Sequence, residues 1–172
     1  MTTERSGVIT LKGNAVTLVG PELKAGDAAP DFNAVNTGLE AVNLASSKGK
    51  VRLFSVVPSL DTPVCAVQTK RFNEELKNLP DNVAVCTVSA DLPFAQKRFC
   101  GDENIEIPTV SDHRELSFGA NYGVLIKELR ILARAIFVVD ANDKITYVEI
   151  VPEVAEEPNY EKALAAVKSA AG

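Results

Sequence analysis

The sequence has no long apolar run, no tryptophan and only one histidine among its 172 residues. A helix that spans a membrane needs about 20 mainly apolar residues, and no stretch of that kind occurs. The first residues, MTTERSGVITL, have neither the basic end nor the unbroken apolar stretch of a secretory signal peptide. We therefore expect a soluble protein of the cytoplasm that has no membrane partner.

Positive charge and metal-ligating residues are also scarce. The formal net charge is -5, and no cluster of lysines and arginines offers a surface for nucleic acid. The three cysteines and one histidine lack the closely spaced pairs that hold zinc. Three is also an odd count, which fits poorly with the disulfide framework of a secreted protein. In a reducing compartment these residues stay thiols, unless their oxidation is the function.

Alternating polar and apolar residues surround a turn signal at Lys12-Gly13-Asn14. This pattern predicts an exposed β-hairpin over residues 7–20, as an N-terminal extension. A chain of this length, with 46% apolar residues, can bury one good core but not two. We expect a single domain over residues 1–172.

After the hairpin, patterns typical of strands and of helices alternate. Their order is a β-α-β unit followed by β-β-α, which resembles thioredoxin-like folds. It predicts an α/β protein with a mixed central sheet and helices on both faces. The main strands are predicted at 51–57, 83–89, 135–139 and 144–151, and the helices at 64–76, 94–99, 115–122 and 159–170.

The stretch PSLDTPVC places a cysteine where the first of these strands gives way to a helix. Thr62 is a natural N-cap, Pro63 suits the first helical position, and Cys65 falls in the first turn. A helix N-terminus favours a thiolate over a thiol, so Cys65 is predicted to be a nucleophile at neutral pH. The position alone leaves open that Cys65 is only a small apolar filler.

Several longer motifs bear on the role of this cysteine. Pro58, Thr62 and Cys65 match the PxxxTxxC signature of peroxiredoxins. Together with SADLPFAQKRFC, SDHRELSFGANYGVLI and LARAIFVVD, the signature resembles the thiol peroxidase branch of that superfamily, the atypical two-cysteine type. The second cysteine, at the end of DLPFAQKRFC, is the feature that distinguishes this branch.

The resemblance implies that Cys65 is the peroxidatic cysteine, with Thr62 as a hydrogen-bond donor to the peroxide and Pro58 as a shield against water. It also implies that Arg134, in LARAIFVVD, serves the site from a distant strand. A buried cation must be paired, and a thiolate is a suitable partner. Two alternatives remain at this stage: Arg134 lies at a strand end and points to water, or Arg130, which has the same parity, takes its place.

Attack on a peroxide leaves a sulfenic acid, which condenses with a nearby thiol. Cys86, in VAVCTVS, is predicted to be a small apolar residue of a buried strand. Cys100 follows the predicted helix 94–99 and precedes a turn-rich stretch that can move. The resemblance implies that Cys100 is the resolving cysteine and that a Cys65–Cys100 disulfide forms within one chain.

The implied activity is a peroxidase for hydrogen peroxide and for organic hydroperoxides, namely alkyl and lipid hydroperoxides. The resemblance also implies thioredoxin as reductant, a homodimer, and no cofactor or metal. A peroxide-sensing switch that uses the same cysteine pair to control a binding surface is the alternative. A thiol-disulfide oxidoreductase is disfavoured, since the loop carries TPVC in place of CxxC. Steady-state peroxide turnover with a reductant distinguishes the enzyme from the sensor.

Overall fold

The computed structural model describes residues 2–172, which form a seven-stranded sheet, a four-stranded sheet and four α-helices. The predicted α/β class with a mixed central sheet is confirmed. The strands are β1 (Glu4–Leu11), β2 (Asn14–Val19), β3 (Ala34–Asn36), β4 (Ala41–Val42), β5 (Val51–Val56), β6 (Val83–Ser89), β7 (Thr109–Ser111), β8 (Leu125–Ile126), β9 (Ile131–Leu132), β10 (Ala135–Val139) and β11 (Ile145–Ile150). The helices are α1 (Pro63–Glu75), α2 (Pro93–Glu103), α3 (Ser117–Asn121) and α4 (Tyr160–Ala171).

The central sheet has the strand order β11-β10-β5-β6-β7-β3-β4. β5 pairs with β6 in parallel and with β10 in the antiparallel sense, and all six of its residues are buried. Such continuous burial is typical of a strand covered on both faces. Ala135 is paired with Val56, the last residue of β5. The residue before β10, Arg134, therefore lies beside the carboxyl end of β5, where α1 begins.

Two apolar layers cover the two faces of this sheet. α1 and α4 cover one face, where Phe72 and Val167 pack against Leu53. On the other face, Phe118 and Tyr122 stack with ring centroids 4.2 Å apart beside the second sheet. The predicted arrangement of helices on both faces is thus observed, with a small sheet added to one face. No helix within residues 2–172 is long and apolar enough to cross a membrane.

The predicted hairpin is formed by β1 and β2, which Lys12 and Gly13 join. Both turn residues have positive φ values, 50° and 80°, as type I′ hairpin turns require. The hairpin is less exposed than predicted, because Ile9 and Leu18 belong to the main core. β2 also pairs with β8, and β8 with β9, to form the second sheet. β8 and β9 have only two residues each, which is too short for a periodic pattern to reveal this sheet.

The helix that carries Cys100 is longer than predicted. The pattern placed the end of the helix at Phe99, whereas α2 continues to Glu103. One glycine inside a helix costs only about 1 kcal/mol, so Gly101 does not end it. Asn104 ends it in the left-handed conformation, and the Asn104 N–H donates to the Cys100 carbonyl. Cys100 therefore lies in the last turn of α2. The prediction that Cys100 follows the helix was wrong.

The hairpin depends on a close backbone approach at Gly123, in the turn after α3. Gly123 has a φ of +70°, and a Cβ there would overlap the Pro21 carbonyl oxygen. Gly123→Ala is therefore expected to lower the free energy of unfolding by at least about 2 kcal/mol, which urea denaturation measures.

Gly101→Ala is the matched control, because a Cβ at Gly101 meets no atom within 4 Å and the residue lies inside a helix. This change is expected to stabilise the protein by up to about 1 kcal/mol. A Gly123→Ala variant as stable as the unmodified chain contradicts the proposed close contact.

Candidate active site

Cys65 lies in the first turn of α1, at the carboxyl end of β5. Thr62 is the N-cap with extended backbone, Pro63 opens the helix, and Cys65 is the third helical residue. The Cys65 side chain is fully buried. The first backbone N–H groups of a helix lack intrahelical acceptors and carry partial positive charge, which stabilises an anion at this position.

Arg134 reaches Cys65 from the residue preceding β10. Its Nη2 lies 3.3 Å from Cys65 Sγ, its Nη1 donates to Gln68 Oε1 at 2.9 Å, and its Nε donates to the Val154 carbonyl at 2.8 Å. Arg134 is only 2% exposed, so it does not point to water. The rival Arg130 is exposed, in the left-handed conformation between β8 and β9.

Gln68 fixes the position of this guanidinium, and sequence reasoning missed it. Its Oε1 accepts from Arg134, while its Nε2 donates to Ser55 Oγ of β5 at 2.8 Å. Because each end of the amide has a partner of the opposite kind, only one amide orientation satisfies both. The sequence did hold a signal for Gln68: it is a polar residue three positions after Cys65, and so lies on the same face of the predicted helix.

Pro58 and Thr62 lie together at a cavity of about 370 Å³ that Arg134 also lines. The Thr62 hydroxyl donates to the Ser59 carbonyl at 2.9 Å, so its oxygen remains free to accept a hydrogen bond. Most of the other lining is apolar, and it includes Leu11 of the hairpin. The other lining residues are Lys12, Pro63, Val64, Ile131, Val154 and Ala155.

Asp91 holds the loop that leads into α1, and no sequence pattern had assigned it to the site. Its carboxylate accepts hydrogen bonds from Ser59 Oγ at 2.7 Å, from the Leu60 N–H at 2.8 Å and from Ser89 Oγ at 2.8 Å. Ser59 follows β5, and Ser89 is the last residue of the parallel neighbour β6. Asp91 thus ties the two carboxyl ends together, and their adjacency in a parallel sheet was the available signal.

The other two cysteines differ in their surroundings. Cys100 is partly buried, its Sγ lies 3.3 Å from Thr109 Oγ1, and it packs against the small cluster that contains Cys65 and Phe99. Cys86, in β6, is remote from that cluster, and burial raises the pKa of its thiol to about 12. All three cysteines are free thiols. Within residues 2–172, no group of three or more acidic, histidine or cysteine side chains could hold a metal ion.

The chain is similar to known proteins over most of its length. The Redoxin family model matches residues 24–164. A thiol peroxidase from Halalkalibacterium halodurans is 60% identical over 163 residues, covering 94% of this chain and 98% of that protein. A thiol peroxidase from Bacillus subtilis is 56% identical over 162 residues, with 94% and 96% covered. The chain belongs to the thiol peroxidases, a branch of the redoxin family.

Solved structures agree with this family and with the thioredoxin-like fold predicted from the sequence. The crystal structure of a peroxiredoxin-like protein from Aquifex aeolicus superimposes with a TM-score of 0.89 at 46% identity, covering 98% of each chain. A thiol peroxidase from Chromobacterium violaceum superimposes with a TM-score of 0.84 over 94% of this chain and 95% of the other. At 19% identity, the second likeness shows the shared fold.

Arg134→Lys tests the contact that joins β10 to α1. Lysine keeps the charge but loses the planar fork that contacts Cys65, Gln68 and Val154 together. We expect the second-order rate constant for oxidation of Cys65 by cumene hydroperoxide to fall about 100-fold, as measured by stopped-flow mixing.

Arg130→Lys is the matched control and is expected to leave this rate unchanged, because Arg130 is exposed outside the site. Circular dichroism verifies that both variants fold. An unchanged rate in folded Arg134→Lys argues against a catalytic contact.

Proposed function

We propose that this chain reduces hydroperoxides, with the Cys65 thiolate as nucleophile. The observation that carries the proposal is the buried Arg134 guanidinium, which contacts Cys65 Sγ and forms no salt bridge with any carboxylate among residues 2–172. A buried cation requires a compensating anion. Among the atoms that Arg134 contacts, only the sulfur can become one. Membership of the thiol peroxidases supplies the reaction.

The first step forms one bond and breaks one. The Cys65 thiolate attacks the terminal oxygen of the hydroperoxide, the O–O bond breaks, and the remaining alkoxide takes a proton from water to leave as an alcohol. With hydrogen peroxide the same step releases water. Arg134 is placed to stabilise the charge that shifts from sulfur to the departing oxygen. Cys65 is left as a sulfenic acid.

Thr62 and Pro58 are assigned supporting roles in this step. Because the Thr62 hydroxyl already donates to Ser59, we assign its oxygen as the acceptor of the peroxide O–H. The sequence-based hypothesis made Thr62 a donor. Pro58 lacks an N–H, is buried and lines the same cavity. It offers no N–H donor to water near the sulfur, and we assign its ring to shield the sulfenic acid from water and from further oxidation.

Cys100 is proposed as the resolving thiol. Its sulfur attacks the sulfur of the Cys65 sulfenic acid and an intrachain disulfide forms. The displaced hydroxide takes the proton of the Cys100 thiol and leaves as water. We expect the last turn of α2 to unwind in this step. Two exposed ion pairs, Lys70–Glu103 and Arg98–Asp61, join α2 to α1 and to the preceding loop. Each is expected to stabilise the helical form of α2 by at most about 1 kcal/mol.

Thioredoxin is proposed as the reductant, because a dithiol returns both cysteines to thiols by disulfide exchange. The cycle needs no metal or organic cofactor. A cytoplasmic location is proposed because an odd count of three cysteines fits a reducing compartment better than a secreted disulfide framework. The sensor alternative is not favoured by the relatives, which are named thiol peroxidases.

A homodimer is also proposed. Leu92 and Phe94, at the start of α2, are 53% and 66% exposed. Large apolar side chains this close together on a surface are typical of an interface. Sedimentation of the reduced protein at assay concentration as a monomer contradicts this proposal.

Treatment of the reduced protein with one equivalent of cumene hydroperoxide, followed by alkylation and peptide mass spectrometry, tests the thiol assignments. We expect a Cys65–Cys100 disulfide with Cys86 alkylated. We also expect Cys65→Ser to abolish turnover, because the nucleophile is lost.

Cys86→Ser is the matched control and is expected to retain turnover, because Cys86 lies outside the cluster around Cys65. Cys65 recovered as sulfinic acid, with both other thiols alkylated, argues against Cys100 as the resolving residue. Full turnover in Cys65→Ser overturns the proposed function itself.

A further inference from the structure

The thiol of Cys100 is hydrogen-bonded to the central sheet. Its Sγ lies 3.3 Å from Thr109 Oγ1 in β7, and Thr109 is buried. The Thr109 hydroxyl donates to the Ile107 carbonyl at 3.3 Å. A hydroxyl has a single proton, so the Thr109 oxygen accepts the hydrogen bond and the Cys100 S–H donates it. In its resting position, Cys100 is therefore bonded to β7 as a thiol.

The two ends of α2 are attached to the sheet in different ways. Gln96, one helical turn before Cys100, is fully buried, and its Nε2 donates to two acceptors of the sheet at 3.0 Å and 2.9 Å. Beyond Gln96, the contact between Cys100 and Thr109 is the one hydrogen bond within residues 2–172 that joins residues 97–103 to the sheet. Unwinding of the last turn must break this bond, while Gln96 keeps the earlier turns in place.

The Cys65 sulfenic acid has two competing fates in the proposed cycle. Attack by Cys100 forms the disulfide and releases water. A second hydroperoxide instead transfers an oxygen to the Cys65 sulfur: its O–O bond breaks, an alcohol leaves, and a sulfinic acid remains that thiols do not reduce. The share of each product depends on how fast Cys100 leaves β7 relative to the second oxidation.

We propose that Thr109 is a positioning residue for the resolving step, whose oxygen retains the Cys100 thiol at β7 and slows disulfide formation. Thr109 thereby sets the share of Cys65 that is lost as sulfinic acid at a given hydroperoxide concentration. Thr109 does not line the cavity beside Cys65, so the first oxidation is independent of it. This inference rests on the proposed resolving role of Cys100 and adds the group that controls it.

Thr109→Val removes the hydroxyl and keeps the shape of the side chain. We expect disulfide formation from the sulfenic acid to become about two- to fivefold faster, as for loss of a weak hydrogen bond. Acid quenching after mixing with one equivalent of cumene hydroperoxide, followed by intact-mass spectrometry, measures this rate, because the disulfide form is lighter than the sulfenic acid by one water. The rate constant for the first oxidation is expected to stay unchanged.

A second measurement follows the partition of the sulfenic acid directly. During turnover with dithiothreitol and excess cumene hydroperoxide, peptide mass spectrometry gives the amount of Cys65 sulfinic acid formed per turnover. In Thr109→Val this amount is expected to fall by the same two- to fivefold factor, because faster resolution leaves less time for the second oxidation.

Two variants separate the hydrogen bond from packing. Thr109→Ser keeps the hydroxyl, loses a methyl group and is expected to behave as the unmodified protein. Thr87→Val is the matched control, because Thr87 is paired with Thr109 on the neighbouring strand, is fully buried, and has a hydroxyl without a hydrogen-bond partner among residues 2–172. It is expected to leave the sulfinic acid yield unchanged. Urea denaturation verifies that each variant folds.

A sulfinic acid yield in Thr109→Val that equals or exceeds that of the unmodified protein overturns this inference. An equal fall in Thr109→Ser or in Thr87→Val overturns it as well, because packing rather than the hydrogen bond then controls resolution. Failure of the unmodified protein to form a Cys65–Cys100 disulfide overturns the proposed resolving role of Cys100 instead.

Discussion

The contact between the Arg134 guanidinium and the Cys65 sulfur is the constraint on which the site depends. Both side chains are almost completely buried, so each would be costly to ionise alone. In the proposed reaction, the guanidinium compensates the negative charge of the attacking sulfur. The remaining donors of Arg134 are used by Gln68 and Val154, so the cation is held in place before a peroxide arrives. Such preorganisation is the main way in which enzymes stabilise developing charge.

The central sheet makes this pair possible. β5 ends beside the start of β10 in the antiparallel register, which brings Arg134 next to the helix that follows β5. The parallel partner β6 ends at Ser89, close enough for Asp91 to bind Ser59 and Leu60. Hydrogen bonds from two strand ends therefore restrain the loop that presents the nucleophile. A helix N-terminus without this support would favour a thiolate but would not hold it against a guanidinium.

The N-terminal hairpin contributes more than stability. It completes the second sheet, and its turn lines the cavity beside the cysteine. Its attachment through Thr10 and Val154 makes the wall of that cavity continuous with the backbone that binds Arg134. Two exposed ion pairs join α2 to α1 and its preceding loop, while the buried Gln96 of α2 donates to Ser89 and Val110 of the central sheet.

Local patterns sufficed to predict the core strands, α1, α4, the hairpin and the position of Cys65 in the first helical turn. They depend on residue periodicity and capping, which neighbouring residues determine. The same patterns failed for β8 and β9, which are too short to show a period, and for the end of α2, where Asn104 rather than Gly101 ends the helix.

The sequence by itself determined which residue types were available for chemistry: a thiol after a strand, a hydroxyl and a proline before it, and an arginine within an apolar stretch. The tertiary structure alone decided that Arg134 rather than Arg130 meets Cys65, that Gln68 and Asp91 support the site, and that Lys12 lies at its cavity. Strand register and sheet order bring together residues far apart in the chain, and no local pattern encodes those contacts.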